Sequence, residues 1–312
     1  MGRRRKKGDP VSGWVNLDKP YGMTSTQAVG RIRRLLNAQK VGHAGTLDPL
    51  ATGVLPIALG EATKTIPFVQ DDLKIYSFTI TWGEQRDTDD MEGDVIATSS
   101  HRPSEKDISS CLTNFTGEIQ QTPPRFSAIK IDGKRAYDIA RDGNIPDLKP
   151  RTVYVKNLQL ITVRENEADF EMLCGKGTYV RSIARDMGEA LGTKGFISAL
   201  RRLEVGCFNT ENAISLDNLE NLDYVSARND ALLPLQTVLD DIPALALTEN
   251  ETAKIRNGQT VSFVSRPNFE RLTAVGLGQK DTQLALATHK DAPVALVDQE
   301  RAEARPIRVF NV

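Results

Sequence analysis

The sequence predicts an α+β fold on a mainly antiparallel sheet with flanking helices, followed by a small β-rich module at the C-terminal end. Three observations predict it. Long alternating segments read as strands, the helical segments do not alternate with them one for one, and the texture changes near residues 242–246. A chain of 312 residues has room for two domains, since domains commonly run to ~100–200 residues.

The elements follow in order. GWVNLDKP (13–20) reads as a short strand entering a turn. MTSTQAVGRIRRLL then offers Ser/Thr caps followed by Ala28, Ile32, Leu35 and Leu36 at helical spacing. In KIYSFTITW (74–82) Tyr76, Phe78, Ile80 and Trp82 fall on one face of a strand, and Ser77, Thr79 and Thr81 on the other. SEKDISSCLTNF opens with a Ser-x-x-Asp start signal and carries Ile108, Cys111, Leu112 and Phe115 on one helical stripe. TVYVKNLQLITV and ADFEMLC read as strands paired through the polar turn RENE. In GKGTYVRSIARDMGEALG the stripe is Val180, Ile183, Ala184, Met187 and Leu191, closed by Gly192. TENETAKIRNG is a helix with a Thr248/Glu251 capping box and a terminal Gly258. TVSFV, LTAVGLG, QLALATH, PVALVD and PIRVF then read as short strands of a small barrel, with the boundary at about residue 245.

Composition narrows the function classes. The hydrophobic share of 39% and charged share of 26% are those of an ordinary soluble chain. No apolar run reaches the ~20 residues a bilayer crossing needs, and the basic start MGRRRKKGDP is not followed by an apolar signal core. A cytoplasmic protein is expected, with no membrane contact. Cys111, Cys174 and Cys207 are far apart and odd in number, which argues against a disulfide framework. His43, His101 and His289 are scattered, so no metal site is expected, and the lack of any GxxxxGK[ST] or GxGxxG motif leaves no sign of a nucleotide cofactor.

Net charge is −1, but it is unevenly sorted. Residues 1–41 carry ten Lys/Arg against two Asp/Glu, and 123–156 carry eight against four. Acid gathers in EQRDTDDMEGD (84–94) and around 217–241. Such sorting suits one basic face for a polyanion and one solvated acidic face, although charge runs are commonly plain surface.

Candidate chemistry centres on VGHAGTLDPLATGVLP (41–56), where Asp48 stands alone among small, stiff and apolar residues. A lone Asp-Pro reads first as a turn with the carboxylate bonded to its own backbone. Against that, the surrounding glycines permit close approach of a ligand and the prolines stiffen the flanks. A rigid acid in a water-poor loop is placed for nucleophilic or general-base work and calls for a balancing cation. Arg181 is the best candidate, one residue off its helix stripe, although spacing alone slightly favours a surface arginine. Tyr76 and Tyr179 read as rim packing or as stacking platforms for a base. TPPRFSAIKIDGKRAYDIAR interleaves Phe126 and Tyr137 with Arg125, Lys130, Lys134, Arg135 and Arg141, which reads equally as an RNA-contacting insertion or as a plain amphipathic surface.

Five stretches together resemble the bacterial TruB-type tRNA pseudouridine-55 synthases: LDKPYGMTS (17–25), VGHAGTLDPLATGVLPIALGEATK (41–64), IYSFTITWGEQRDTDDMEGD (75–94), TPPRFSAIKIDGKRAYDIAR (122–141) and CGKGTYVRSIARDMG (174–188). They occur in the family's order across residues 11–205. The resemblance implies a cofactor-free isomerase converting one T-loop uridine of tRNA to pseudouridine by base flipping. It implies Asp48 as catalytic aspartate, Arg181 as its ion-pair partner, Tyr76 stacking on uracil and Tyr179 against base and ribose. His43 and Leu200 would line the T-loop site, and Lys64 would contact phosphate.

The implied organisation is a basic, disordered tail (1–10), a catalytic pseudouridine-synthase domain (11–244) with an insertion at about 122–151, and a PUA-like RNA-binding β-barrel (245–312). The implied partner is tRNA, through its T-arm and elbow, with the chain a monomer needing no protein partner. Two alternatives stay open: a tRNA-folding chaperone in which catalysis is incidental, and a guide-RNA-dependent synthase.

Overall fold

The computed structural model describes residues 8–131, 133–222 and 230–311. The polybasic run at residues 3–7 and Asp132 of the insertion lie outside them.

The first half of the chain contributes β1 (Gly13–Lys19), β2 (Val41–His43), β3 (Thr52–Leu59), β4 (Lys74–Trp82) and β5 (Glu84–Arg86). It continues with β6 (Val95–Thr98), β7 (Gly117–Gln121), β8 (Lys130–Ile131) and β9 (Lys134–Arg135). Then come β10 (Arg151–Val163), β11 (Glu167–Cys174), β12 (Gly195–Val205), β13 (Phe208–Asn209) and β14 (Ile214–Ser215). Ten of these form one sheet in the order β14-β1-β3-β12-β4-β11-β10-β7, with β2 beside β3 and β13 beside β12. Only β1/β14 and β3/β12 run parallel, so the sheet is mainly antiparallel as expected. The pairs β5/β6 and β8/β9 are separate hairpins.

Alternation in β4 decides what lies on each face. Phe78, Ile80 and Trp82 are buried, and Phe78 stacks on Phe170 of β11 at 5.4 Å between ring centroids. The helix Val180–Ala190 lays Val180, Ile183, Ala184 and Met187 into this core. A second core gathers under the helix Ser25–Leu35, where Ala28, Ile32 and Leu36 meet Leu17, Leu55 and Ile57. Its capping box joins Thr24 and Gln27, and the helix Glu105–Cys111 has the expected Ser104/Asp107 box.

A five-stranded sheet closes the chain: β15 (Ala244–Ala246), β16 (Val261–Ser262), β17 (Gln283–His289), β18 (Ala292–Glu300) and β19 (Glu303–Val309), in the order β15-β17-β18-β19-β16. It curls into a half-barrel, and β15 and β16 at its ends are not hydrogen-bonded to each other. LTAVGLG is not a strand. Its first residues complete a helix, Arg266–Ala274, which starts after Ser265 with Pro267 in the first turn and buries Leu272. Pro at a helix start costs nothing because its missing N–H has no intrahelical partner there. Leu286, Leu296 and Phe310 of this sheet share a core with Trp14, Val54 and Ala58 of the large one, so the two are packed together.

One crossing demands a particular residue. Gly53 in β3 has φ +98°, and a Cβ there would lie 2.1 Å from the Arg202 carbonyl oxygen of β12. Gly53→Ala is therefore expected to lower folding stability by more than about 2 kcal/mol, through backbone strain and overpacking. Urea unfolding followed by circular dichroism measures it, and a change under about 0.5 kcal/mol, the range of ordinary surface substitutions, contradicts it.

Candidate active site

The loop between β2 and β3 carries Asp48, and three side chains hold that loop. Ser25 Oγ donates to Leu47 O at 3.0 Å and accepts from Leu47 N–H at 2.8 Å. Lys19 Nζ, fully buried, donates to the carbonyls of Met23 (2.6 Å), Pro20 (2.9 Å) and Pro49 (3.2 Å). Arg202, also buried, donates from Nε to Val54 O (2.7 Å) and from Nη2 to Gly45 O (3.0 Å). The turn expected from Asp-Pro exists, closed by Ala51 N–H on Asp48 O at 3.1 Å. The carboxylate, however, is directed to Arg181.

Arg181 sits in the first turn of Val180–Ala190 with its side chain only 5% exposed, so the surface reading of this arginine is overturned. Its Nη2 donates to Asp48 Oδ1 at 3.1 Å, and its Nε lies 2.9 Å from Asp48 Oδ2. Nη1 donates to Thr88 O at 2.9 Å and lies 3.6 Å from Asp90 Oδ2, while Nη2 also donates to Phe126 O at 3.0 Å. Burial opposes the charge on Arg181, but Asp48, Asp90 and Asp89 outweigh it and hold the guanidinium pKa above its ordinary value. Asp48 stays 33% exposed, open to the cleft.

The cleft has a volume of about 1290 Å³. Asp48, His43, Tyr76, Tyr179, Arg181 and Leu200 all line it, together with Phe126, Arg135, Tyr137 and Arg141 from the insertion. Burial lifts the Tyr76 phenol above its usual range, with Arg202 beside it acting the other way. Burial, reinforced by Arg202, lowers the His43 pKa below its ordinary value. The Arg151 guanidinium lies over the Tyr179 ring, 5.0 Å from its centroid. Apolar and aromatic side chains thus share the cleft with the Arg181-paired carboxylate of Asp48 and with further acids such as Asp90 and Glu92, an arrangement that suits holding a flat, neutral ring beside a carboxylate.

Lys64 is the site residue that the fold does not bring here. Its ammonium is 2.6 Å from both Glu61 Oε2 and the Val309 carbonyl, bracketing the C-terminal sheet to the large one, and it does not line the cleft. The acidic run 84–94 is also not all solvated surface, because Asp89 and Asp90 are buried. Lys19, Asp90 and Arg202 were not singled out from sequence. Arg202 bonds carbonyls about 150 positions away and Asp90 pairs with Arg181 91 positions on, which no local spacing reveals; Lys19 bonds the nearby carbonyls of Pro20, Met23 and Pro49. Lys19 and Asp90 did lie inside recognised motif stretches. Burial draws the Lys19 pKa down to about 8, opposed by Asp48.

Comparison with known proteins supplies the remaining observations. Residues 33–180 match the family model described as TruB family pseudouridylate synthase (N terminal domain). Residues 181–242 match the tRNA pseudouridylate synthase B C-terminal domain. Full-length relatives named tRNA pseudouridine synthase B include one from Caulobacter vibrioides, 50% identical over 99% of both chains. Another, from Bradyrhizobium diazoefficiens, is 53% identical over 99% of this chain and 88% of its own. Among solved structures, one described as a Cbf5-Nop10-Gar1 complex has 26% identity and a TM-score of 0.68, covering 96% of this chain and 83% of that one.

The buried acid beside Asp90 gives a pH signature. Burial pushes Asp89 up to about 6, even with Arg185 Nη1 at 3.1 Å. A carboxyl raised from 3.8 stabilises the fold below about pH 4, and that contribution is lost as pH rises through 6. Asp89→Asn is expected to flatten the fall in melting temperature between about pH 4 and 6, and identical slopes for both proteins contradict it.

Proposed function

The chain belongs to the TruB family of pseudouridylate synthases, and on that premise we propose that it isomerises uridine 55 in the T-loop of tRNA to pseudouridine, with Asp48 as the catalytic carboxylate. Pseudouridine synthases of this family are isomerases, and full-length identity to proteins named tRNA pseudouridine synthase B supports tRNA as substrate. The observation that carries the assignment of Asp48 is its pairing with buried Arg181 at the wall of the cleft.

The chemistry makes demands that these residues meet. The C1′–N1 bond breaks, the uracil turns, C5 bonds to C1′, the C5 proton departs and N1 takes a proton. Atoms and charge balance without a cofactor. A base inside a folded loop must first be extruded, at a cost of a few kcal/mol, and held on both faces. Tyr76, Leu200 and Tyr179 supply those contacts, with His43 as a neighbour. The freed uracil must remain captive, so the site excludes water. Arg181 keeps Asp48 oriented and its charge balanced while the carboxylate meets the ribosyl uracil.

Recognition follows from the distribution of cations. Arg135 and Arg141 of the insertion line the cleft, and Lys130 and Lys134 are exposed on its hairpin, ready to track phosphates of the T-arm. We assign residues 11–244 to catalysis and 245–312 to a PUA-like module reaching the tRNA elbow. The protein acts in the cytoplasm as a monomer; none of its described helices is long and apolar enough to cross a membrane.

The test is tritium release from tRNA transcript labelled at uracil C5. Wild type is expected to release one tritium per tRNA, and Asp48→Asn to be slower by at least about 1000-fold with nearly unchanged tRNA affinity. No release from wild type removes the enzyme reading and leaves the chaperone, and equal release removes Asp48. Affinity is expected to fall linearly in log–log form with salt, by about 0.7–0.9 per phosphate contact.

A further inference from the structure

The edge strand β7 ends at Gln121, immediately before the insertion, and this residue is 1% exposed. Its carboxamide is committed entirely to one distant residue. Nε2 donates to Tyr179 O at 3.1 Å, and Oε1 accepts from Tyr179 N–H at 2.8 Å. Only one orientation of the amide serves both bonds. Tyr179 occupies the N-cap of Val180–Ala190 in extended conformation (φ −106°, ψ 116°), and no side-chain cap bond is made there. A carboxamide from the sheet edge therefore holds the peptide that leads into the catalytic helix.

The neighbouring bonds run the same way. Ser182 Oγ and Arg185 Nη2 both donate to Thr122 O at 2.8 Å, and Arg181 Nη2 donates to Phe126 O at 3.0 Å. Residues 121–126, the root of the insertion, are thus bonded to residues 179–185, which include Tyr179 and Arg181. Pro123 and Pro124 stiffen that root, so a displacement of the arm is passed on rather than absorbed in free rotation. Tyr179 is held by its peptide through Gln121 and by its ring through Arg151.

We propose that Gln121 is a positioning residue for the isomerisation: it fixes the Tyr179 peptide, and hence the ring against the base and Arg181 two residues on, and couples both to the seating of the insertion on RNA. The proposal rests on the isomerase reading above. Gln121 does not line the cleft, so its removal is expected to act on the chemical step and not on tRNA capture, which the reading above gives to the exposed cations of the insertion.

Two variants test it. Gln121→Met keeps volume and removes both bonds, leaving the buried Tyr179 N–H without its partner. It is expected to slow single-turnover pseudouridine formation by about 10- to 100-fold while tRNA affinity stays within about threefold. A rate within twofold of wild type, or affinity lost as much as rate, overturns the proposal. Gln121→Glu supplies a readout that does not depend on comparing differently folded proteins. Ionised, the introduced carboxylate would set a negative oxygen against Tyr179 O; protonated, it would donate there as the amide does. The rate of this variant relative to wild type is therefore expected to rise at least about fivefold between pH 8 and pH 6. A flat ratio overturns the proposal. Should wild type form no pseudouridine, the isomerase reading fails and the clamp is read from hydrogen exchange at the Tyr179 amide. Slow exchange in wild type that quickens in Gln121→Met supports the clamp, and equal exchange overturns it.

Discussion

A guanidinium buried beside a cleft is the constraint on which the rest of this structure depends. Removing Arg181 from water is costly, and the cost is offset only by partners placed on every side of it. Asp48 comes from the β2–β3 loop, Asp90 and the Thr88 carbonyl from the loop after β5, and the Phe126 carbonyl from the insertion. Each of these segments must be in register for the arginine to be tolerated. The same requirement that makes the arrangement expensive to assemble makes it rigid once formed, and rigidity is what a single reacting carboxylate needs.

The loop that carries Asp48 is held by cations too, but through carbonyls and not carboxylates. Lys19 and Arg202 reach under the loop to Pro49 and Gly45 and lie in the interior of the sheet. Carbonyl partners satisfy their N–H groups without neutralising their charge. That retained charge bears on its neighbours: Arg202 adds to the lowering of the Lys19 and His43 pKa values. Arg202 therefore acts on the cleft wall beside His43 and Tyr76, while Asp48, Asp90 and Glu92 line the same cleft.

The insertion is tied into the cleft. Tyr137 packs between Arg135 and Arg141 at 5.9 and 5.6 Å, which keeps two guanidinium groups spaced along one edge of the cleft. Its root is bonded to the helix Val180–Ala190, so the insertion and the arginine that pairs with Asp48 are mechanically continuous. Opposite it, the bracket of Glu61, Lys64, Val309 and Asn311 fastens the C-terminal sheet to the short helical turn after β3. Lys64 closes one of the motif stretches, and its ammonium lies between a carboxylate and a carbonyl oxygen outside the cleft.

Local pattern carried the fold far. Alternation in β4, the helical stripe of Val180–Ala190 and three capping boxes each depend on residues within a few positions of one another, and each formed as the spacing implies. LTAVGLG departs from its expected strand for a local reason as well, because short apolar runs fit helix and strand alike and Pro267 marks a helix start just before it. The sequence by itself determined that Asp48 would be isolated among stiff, apolar neighbours and that Arg181 and Tyr76 belonged with it by family motif. Tertiary structure alone decided that Arg181 is buried, that Asp90 is its second acid, and that Gln121 holds Tyr179 from 58 residues away. Those facts depend on strands that neighbour in space without neighbouring in sequence. Burial and its electrostatic consequences are properties of the packed chain, not of any stretch of it.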